Sequence, residues 1–187
     1  MAYKDKEFDS YTYEINHKGS IEALEKNFHK LTFIELMDEK GNDLMEIDCV
    51  IFFKGQPLMY ADVSNRNNWK TKQFPFETLY YFKHKTDRYA DENYYKKLEE
   101  KGIKYGDLLK VWINFSKDKT MCEVIEFRKI LTNQPKINKG SFEDKVGNKK
   151  VYEIESYECP TTITHFVEVE KLEELLVRLY QIHQLTV

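Results

Sequence analysis

Two aspartates, Asp48 and Asp62, sit inside apolar runs, Met45–Phe53 and Pro57–Val63, that are separated only by Lys54-Gly55-Gln56. A hairpin whose loop centres on Gly55 sets Asp48 opposite Asp62, and Glu46 opposite Ser64. Directly opposed side chains on one face have Cβ atoms about 4.5–5.5 Å apart. The other face collects Met45, Ile47, Cys49, Ile51 and Phe53 with Met59, Ala61 and Val63, all apolar, and is built to bury against a helix. Two carboxylates held this close repel unless a cation or a shared proton compensates. A hard divalent ion such as magnesium takes oxygen ligands and keeps waters for a substrate. The plainer reading is an edge hairpin whose acids face water, and a one-residue slip would undo the alignment.

The elements that must hold this hairpin follow from periodicity. Ser20 is a plausible N-cap, and Ile21, Leu24, Phe28 and Leu31 at helical spacing predict a helix over 20–31. Residues 1–18 alternate weakly and read as an edge strand or irregular chain. Residues 31–37 read as a strand closed by Lys40-Gly41-Asn42-Asp43. Pro75 opens an aromatic segment read as a second helix to about Ala90. Asp91 caps a short helix that Gly102 ends. Residues 109–115 and 121–130 form a hairpin around 116–120, and 132–150 is a loop or boundary. Strands at 151–157 and 163–169 precede a final helix with Leu172, Leu175, Leu176, Leu179 and Tyr180 on one stripe. That stripe is read as core, with a homodimer or protein partner on the C-terminal helix as the other reading. The order implies an α/β or α+β fold around a mixed sheet, with a core domain over 1–131 and a strand-strand-helix extension over 132–187 packed on it.

The chain has 187 residues, 33% charged and 41% hydrophobic, which suffices for one core without disulfide or metal staples. Aromatic residues at 14% argue against disorder, and 7 Gly and 4 Pro argue against a fibrous chain. No long apolar run predicts a membrane span, and the charged N-terminus lacks the apolar core of a signal peptide. Cys49, Cys122 and Cys159 are too scattered for a disulfide framework or a zinc knuckle, so a reducing cytoplasm is the expected location. Net charge is −3, yet residues 64–90 carry Arg66, Lys70, Lys72, Lys83, Lys85 and Arg88 against only Glu77 and Asp87. That segment is either a solvated helix face or a polyanion surface. Dinucleotide, P-loop and GxSxG signatures are absent from the sequence. His29, four residues after Glu25, reads as an incidental surface pair, and Cys49 as a small core residue.

Glu46-Ile47-Asp48-Cys49-Val50-Ile51, a short turn, then Leu58-Met59-Tyr60-Ala61-Asp62-Val63-Ser64-Asn65-Arg66 resembles the core of the PD-(D/E)xK nucleases, over roughly residues 19–115. The resemblance implies a restriction-endonuclease-like mixed sheet flanked by helices. It also implies metal-dependent hydrolysis of DNA or RNA phosphodiesters, with Asp48 and Asp62 as Mg²⁺ or Mn²⁺ ligands and the Val63 carbonyl as a further one. An acid of the first helix completes such sites, and Glu22 is the better match, with Glu25 the alternative. The motif's lysine position is Ser64, and a neutral hydroxyl does that lysine's electrostatic work poorly. Lys70 or Lys72 is the expected substitute.

On this reading Arg66, Lys70, Lys72, Lys83 and Lys85 track a phosphate backbone. Trp69, Phe74, Tyr80 and Tyr81 are candidates to stack on unpaired bases, while Phe76, Leu79 and Phe82 read as core of the second helix. The alternative is a degenerate nuclease-like fold acting as a binding, inhibitor or accessory protein.

Overall fold

The computed structural model of the chain describes residues 10–36, 47–100, 102, 108–143 and 148–186. In chain order these form α1 (Ser10–Asn27), β1 (Leu31–Glu35), β2 (Cys49–Phe53), β3 (Gln56–Arg66), β4 (Thr78–Phe82), α2 (Lys83–Ala90), α3 (Glu92–Glu100), β5 (Leu109–Ser116), β6 (Met121–Glu126), α4 (Phe127–Ile130), β7 (Pro135–Glu143), β8 (Lys149–Pro160), β9 (His165–Glu168) and α5 (Leu172–Gln184). The fold is α+β, with one six-stranded mixed sheet and one three-stranded sheet, each accompanied by helices. Among the described residues no helix is long and apolar enough to cross a membrane.

Two compact units interleave along the chain. The first (Met1–Pro75, Asp107–Val124, Phe166–Val187) holds the six-stranded sheet in the order β1-β2-β3-β5-β6-β9. β1–β2 and β2–β3 pair antiparallel, and β3–β5 pair parallel. One sheet face is apolar: Cys49 and Ile51, Met59, Ala61 and Val63, and Val111, Ile113 and Phe115 bury with Ile21 and Leu24 of α1 and Leu172, Leu176 and Leu179 of α5. Each such large aliphatic side chain removed from water contributes about 1.5–3 kcal/mol. The stripe on the final helix is therefore core.

The second unit (Phe76–Gly106, Ile125–His165) holds the antiparallel sheet β4-β8-β7 with α2, α3 and α4. Its interior is aromatic, with Tyr89 packed edge-on against Phe127 at 4.8 Å and against Tyr94 at 5.6 Å. Asp91 caps α3, accepting the Asn93 N–H at 2.9 Å, and Gly102 takes φ +87° after it.

Several expectations are corrected. Helix α1 begins at Ser10 instead of residue 20, because Tyr11 and Ile15 lie four apart and satisfy a helical period as readily as an alternating one. The helix expected from Pro75 to Ala90 is strand β4 followed by α2. Thr78-Leu79-Tyr80-Tyr81-Phe82 is rich in β-forming residues, and β8 supplies its ladder. Residues 132–150 are largely strand, since β7 pairs with β8 from Pro135↔Tyr157 to Glu143↔Lys149. The two units are not successive stretches of chain, because Phe166–Val187, with α5, belongs to the first one. The turn at 40–43 and Glu46 lie outside the described residues.

The β2–β3 turn sets the geometry that matters most. Phe53 pairs with Gln56, leaving Lys54 (φ +51°) and Gly55 (φ +77°) as a two-residue turn with both residues left-handed, the form that matches strand twist. Phe52 then pairs with Pro57 but Ile51 with Met59, so Leu58 is an extra residue, a β-bulge. Beyond the bulge Val50 faces Tyr60 and Cys49 faces Ala61, where the paired register ends, and Asp48 immediately precedes β2.

Candidate active site

Opposite the apolar face, the even positions of β3 present Tyr60, Asp62, Ser64 and Arg66, in register with Lys110, Trp112, Asn114 and Ser116 of β5. Asp62 is 0% exposed and Asp48 is 7% exposed. The Val63 N–H donates to Asp48 Oδ2 at 2.5 Å, so the Asp48 carboxylate caps the backbone of β3 beside Asp62 where the β2 ladder ends. Burial pushes the Cys49 thiol well above its ordinary pKa, and the nearby charges of Asp48, Glu35 and Asp62 push it further. Ionised carboxylates at this depth cost several kcal/mol each unless something compensates.

A chain of polar contacts continues along the same face. The Ser64 hydroxyl donates to Asn114 Oδ1 and accepts from Trp112 Nε1–H at 3.3 Å. Asn114 Nδ2 donates to Glu123 Oε2 at 3.0 Å, and Arg66 Nε donates to the same oxygen at 2.9 Å. Glu123 is fully buried on β6. Because Asn114 is the register partner of Ser64, the shared oxygen draws the Arg66 guanidinium back toward the Ser64 row. A cation therefore stands beside that row, carried two residues further along β3.

The other expected residues lie elsewhere. Glu22 is exposed and lines a cleft of about 650 Å³ with Lys26, Lys72, Lys119 and Glu168. Glu25 borders a shallower groove that Glu35 also lines. Among the described residues no three His, Cys, Asp or Glu side chains gather as a metal-binding group, so the expected convergence of a first-helix acid on Asp48 and Asp62 is not seen. Lys70 is exposed, and Lys72 pairs with Glu168 at 3.4 Å on the surface. On α2, Lys83 pairs with Asp87 and Lys85 is half-buried.

Trp69 is fully buried, edge-on to Phe74 at 5.2 Å and to Phe166 at 5.6 Å, and Tyr81 is buried too. Tyr80 is exposed, and so are Phe76 and Phe82, against the expectation of a helix core for the last two. The His29 N–H donates to Glu173 Oε1 at 2.9 Å.

Sequence reasoning missed Asn114, Glu123 and Trp112. The signal available was a polar residue in an otherwise apolar strand, Asn114 in Val111-Trp112-Ile113-Asn114-Phe115 and Glu123 in Cys122-Glu123-Val124-Ile125. Either pattern states that a polar group is buried, and neither names its partner.

No protein-family model matches the chain, and no curated protein does. Among solved structures, a nuclease from a fusselovirus is similar over 93% of this chain and 93% of its own, with 15% identity and a TM-score of 0.37. A likeness at that level assigns neither a family nor an activity to this chain.

Proposed function

We propose that this protein is a divalent-metal-dependent nuclease of the PD-(D/E)xK kind, hydrolysing phosphodiesters of DNA or RNA at Asp48 and Asp62. The observation that carries the reading is the burial of both carboxylates, with Asp48, just before β2, accepting the N–H of Val63, the residue after Asp62 on β3. Two buried acids at the start of β2 and on β3 offer an all-oxygen donor set, which fits a hard divalent cation. Asp48 and Asp62 would hold Mg²⁺ or Mn²⁺. The Val63 carbonyl joins them, because an extended residue turns its N–H and C=O to the same edge. The ion supplies, when bound, a water of lowered pKa and charge stabilisation at the phosphate.

The chain's own groups do the rest. Arg66, oriented by Glu123, stands in for the lysine that Ser64 replaces and stabilises negative charge developing on the phosphate. Ser64, engaged on both sides by Asn114 and Trp112, orients that row and moves no proton. Lys70, on the same unit as Asp48 and Asp62, meets the phosphate backbone. Glu22 and Lys72, facing the cleft, take no part in this scheme.

The second reading, a binding or accessory scaffold that does not cut, is favoured by the serine at the lysine position. A cleavage assay on labelled single- and double-stranded DNA and RNA, with Mg²⁺, Mn²⁺ or EDTA, separates the two. Metal-dependent cutting that falls about a hundredfold or more in Asp62→Asn supports the nuclease. No cutting on any substrate, together with no Mn²⁺ binding by calorimetry, overturns it.

A further inference from the structure

The three-stranded sheet turns toward solvent a face whose composition is not that of a protein core. On edge strand β4, Tyr80 is 50% exposed and Phe82 is 43% exposed. Two residues apart on one strand, they project from the same face about 6.5–7 Å apart. That interval suits two successive bases of an extended single strand, each lying on one ring. The His84 imidazole, in the first turn of α2, lies nearly parallel to Phe82 at 5.9 Å between centroids and 25° between planes, and continues the stack.

Across the sheet, Phe82 and Lys136 both pair with Ser156, so a cation lies in the same row as the ring. The Lys136 side chain is 63% exposed and forms an ion pair with Glu158, the register partner of Tyr80. Exposed ion pairs are worth about 0–1 kcal/mol, so a phosphate can take over that ammonium readily.

We propose that this face, centred on Tyr80 and Phe82 with Lys136 beside them, is a stacking platform for single-stranded nucleic acid. Two exposed rings at the spacing of successive bases, with the exposed Lys136 ammonium in the row of Phe82 for a phosphate, fit a single strand, whose base faces are free to stack, and not a duplex, whose base faces are covered.

The inference rests on the nuclease reading only for the class of ligand, and its test runs without cleavage. Binding of short labelled DNA and RNA, single-stranded and duplex, to the full chain is read by fluorescence anisotropy in EDTA. Single strands are expected to bind about tenfold or more tighter than duplex. Tyr80→Ala and Phe82→Ala should each weaken single-strand binding about five- to a hundredfold. Phe82→Tyr, which keeps a ring, should bind as the parent does.

Equal affinity for duplex, or unchanged affinity in both alanine variants, overturns the platform. A loss of self-association in those variants with no loss of oligonucleotide binding also overturns it, and makes the face a protein interface. Absence of cleavage with single-strand binding intact sinks the nuclease reading alone. Both substitutions are at exposed positions, and unchanged thermal melting checks that the fold is kept.

Discussion

The Arg66 guanidinium and the Glu123 carboxylate meet at 2.9 Å between Nε and Oε2, on two strands that flank β5. Glu123 has no exposure, and its Oε2 also accepts from Asn114, so the Arg66 guanidinium is one of the groups that compensate it. The pair gives the polar face a fixed cation where the sequence offers no lysine.

Removing Arg66 takes its opposite charge from a fully buried carboxylate. Arg66→Met is expected to destabilise the protein by about 3 kcal/mol, and Arg66→Met combined with Glu123→Gln by less. Urea unfolding of the two variants, compared with the parent, measures the difference. A double variant less stable than Arg66→Met would contradict the account.

Glu173 on α5 ties that helix to the α1–β1 connection. Its Oε1 accepts the N–H groups of His29 at 2.9 Å, Lys30 at 2.5 Å and Leu31 at 2.6 Å. Burial pushes the carboxyl pKa up, but the N–H groups of Leu31, Lys30 and His29 outweigh it and hold the value below the ordinary range. A depressed carboxylate contributes stability that is full above the unfolded pKa of about 4.3 and is lost as pH falls through the folded value. Glu173→Ala is expected to cost about 2 kcal/mol at neutral pH. It should also flatten the acid limb of a stability-against-pH curve, which denaturant titration from neutral to acid pH reads directly.

Lys119, at φ +59° in the β5–β6 turn, lies over the Phe115 ring, with its Nζ 3.4 Å from Ser20 Oγ. Burial lowers its pKa to about 8. An unfolded lysine titrates near 10.4, so between about 8 and 10.4 the unfolded chain holds more protons and stability rises with pH. Below pH 8 the penalty is present in full. Lys119→Met keeps the packing stem and removes the charge, so the variant should melt higher at pH 7 and lose the rise above pH 8. Melting curves recorded at several pH values from 7 to 10 would show both effects, and a lower melting point at pH 7 would contradict them.

All three cysteines are free and buried. Burial, with Glu123 adding to it, pushes Cys122 up to about 12, and Cys49 is raised by burial and by its acidic neighbours. Thiolate is the reactive form, so none of the three should react with Ellman's reagent at pH 8 in the folded protein, and all should react in denaturant. A thiol that titrates promptly under native conditions would show one of these positions to be open.

Much of the site's strand geometry was legible in the sequence, because alternation in 45–63 separates an apolar face from an acidic one and Gly55 marks the turn. The pairing of Cys49 with Ala61 and Val50 with Tyr60 follows from that pattern. The route to it does not. The turn itself is one residue out of step with that pairing, and only the bulge at Leu58 restores it. A bulge depends on how both strands pack against their neighbours, which no local pattern encodes.

The Asn114–Glu123–Arg66 cluster depends on parallel pairing of β3 with β5, across more than forty residues of chain. β7 was hidden because its polar, Gly-containing sequence has little alternation of its own and is held by β8. The aromatic residues of β4 suit a helical period as well as a strand until a ladder partner is present. Residue type and short-range spacing determined which groups share the β2–β3 face. Only long-range strand pairing decided which distant groups join it, because hydrogen-bond partners across a sheet are set by the whole chain's packing.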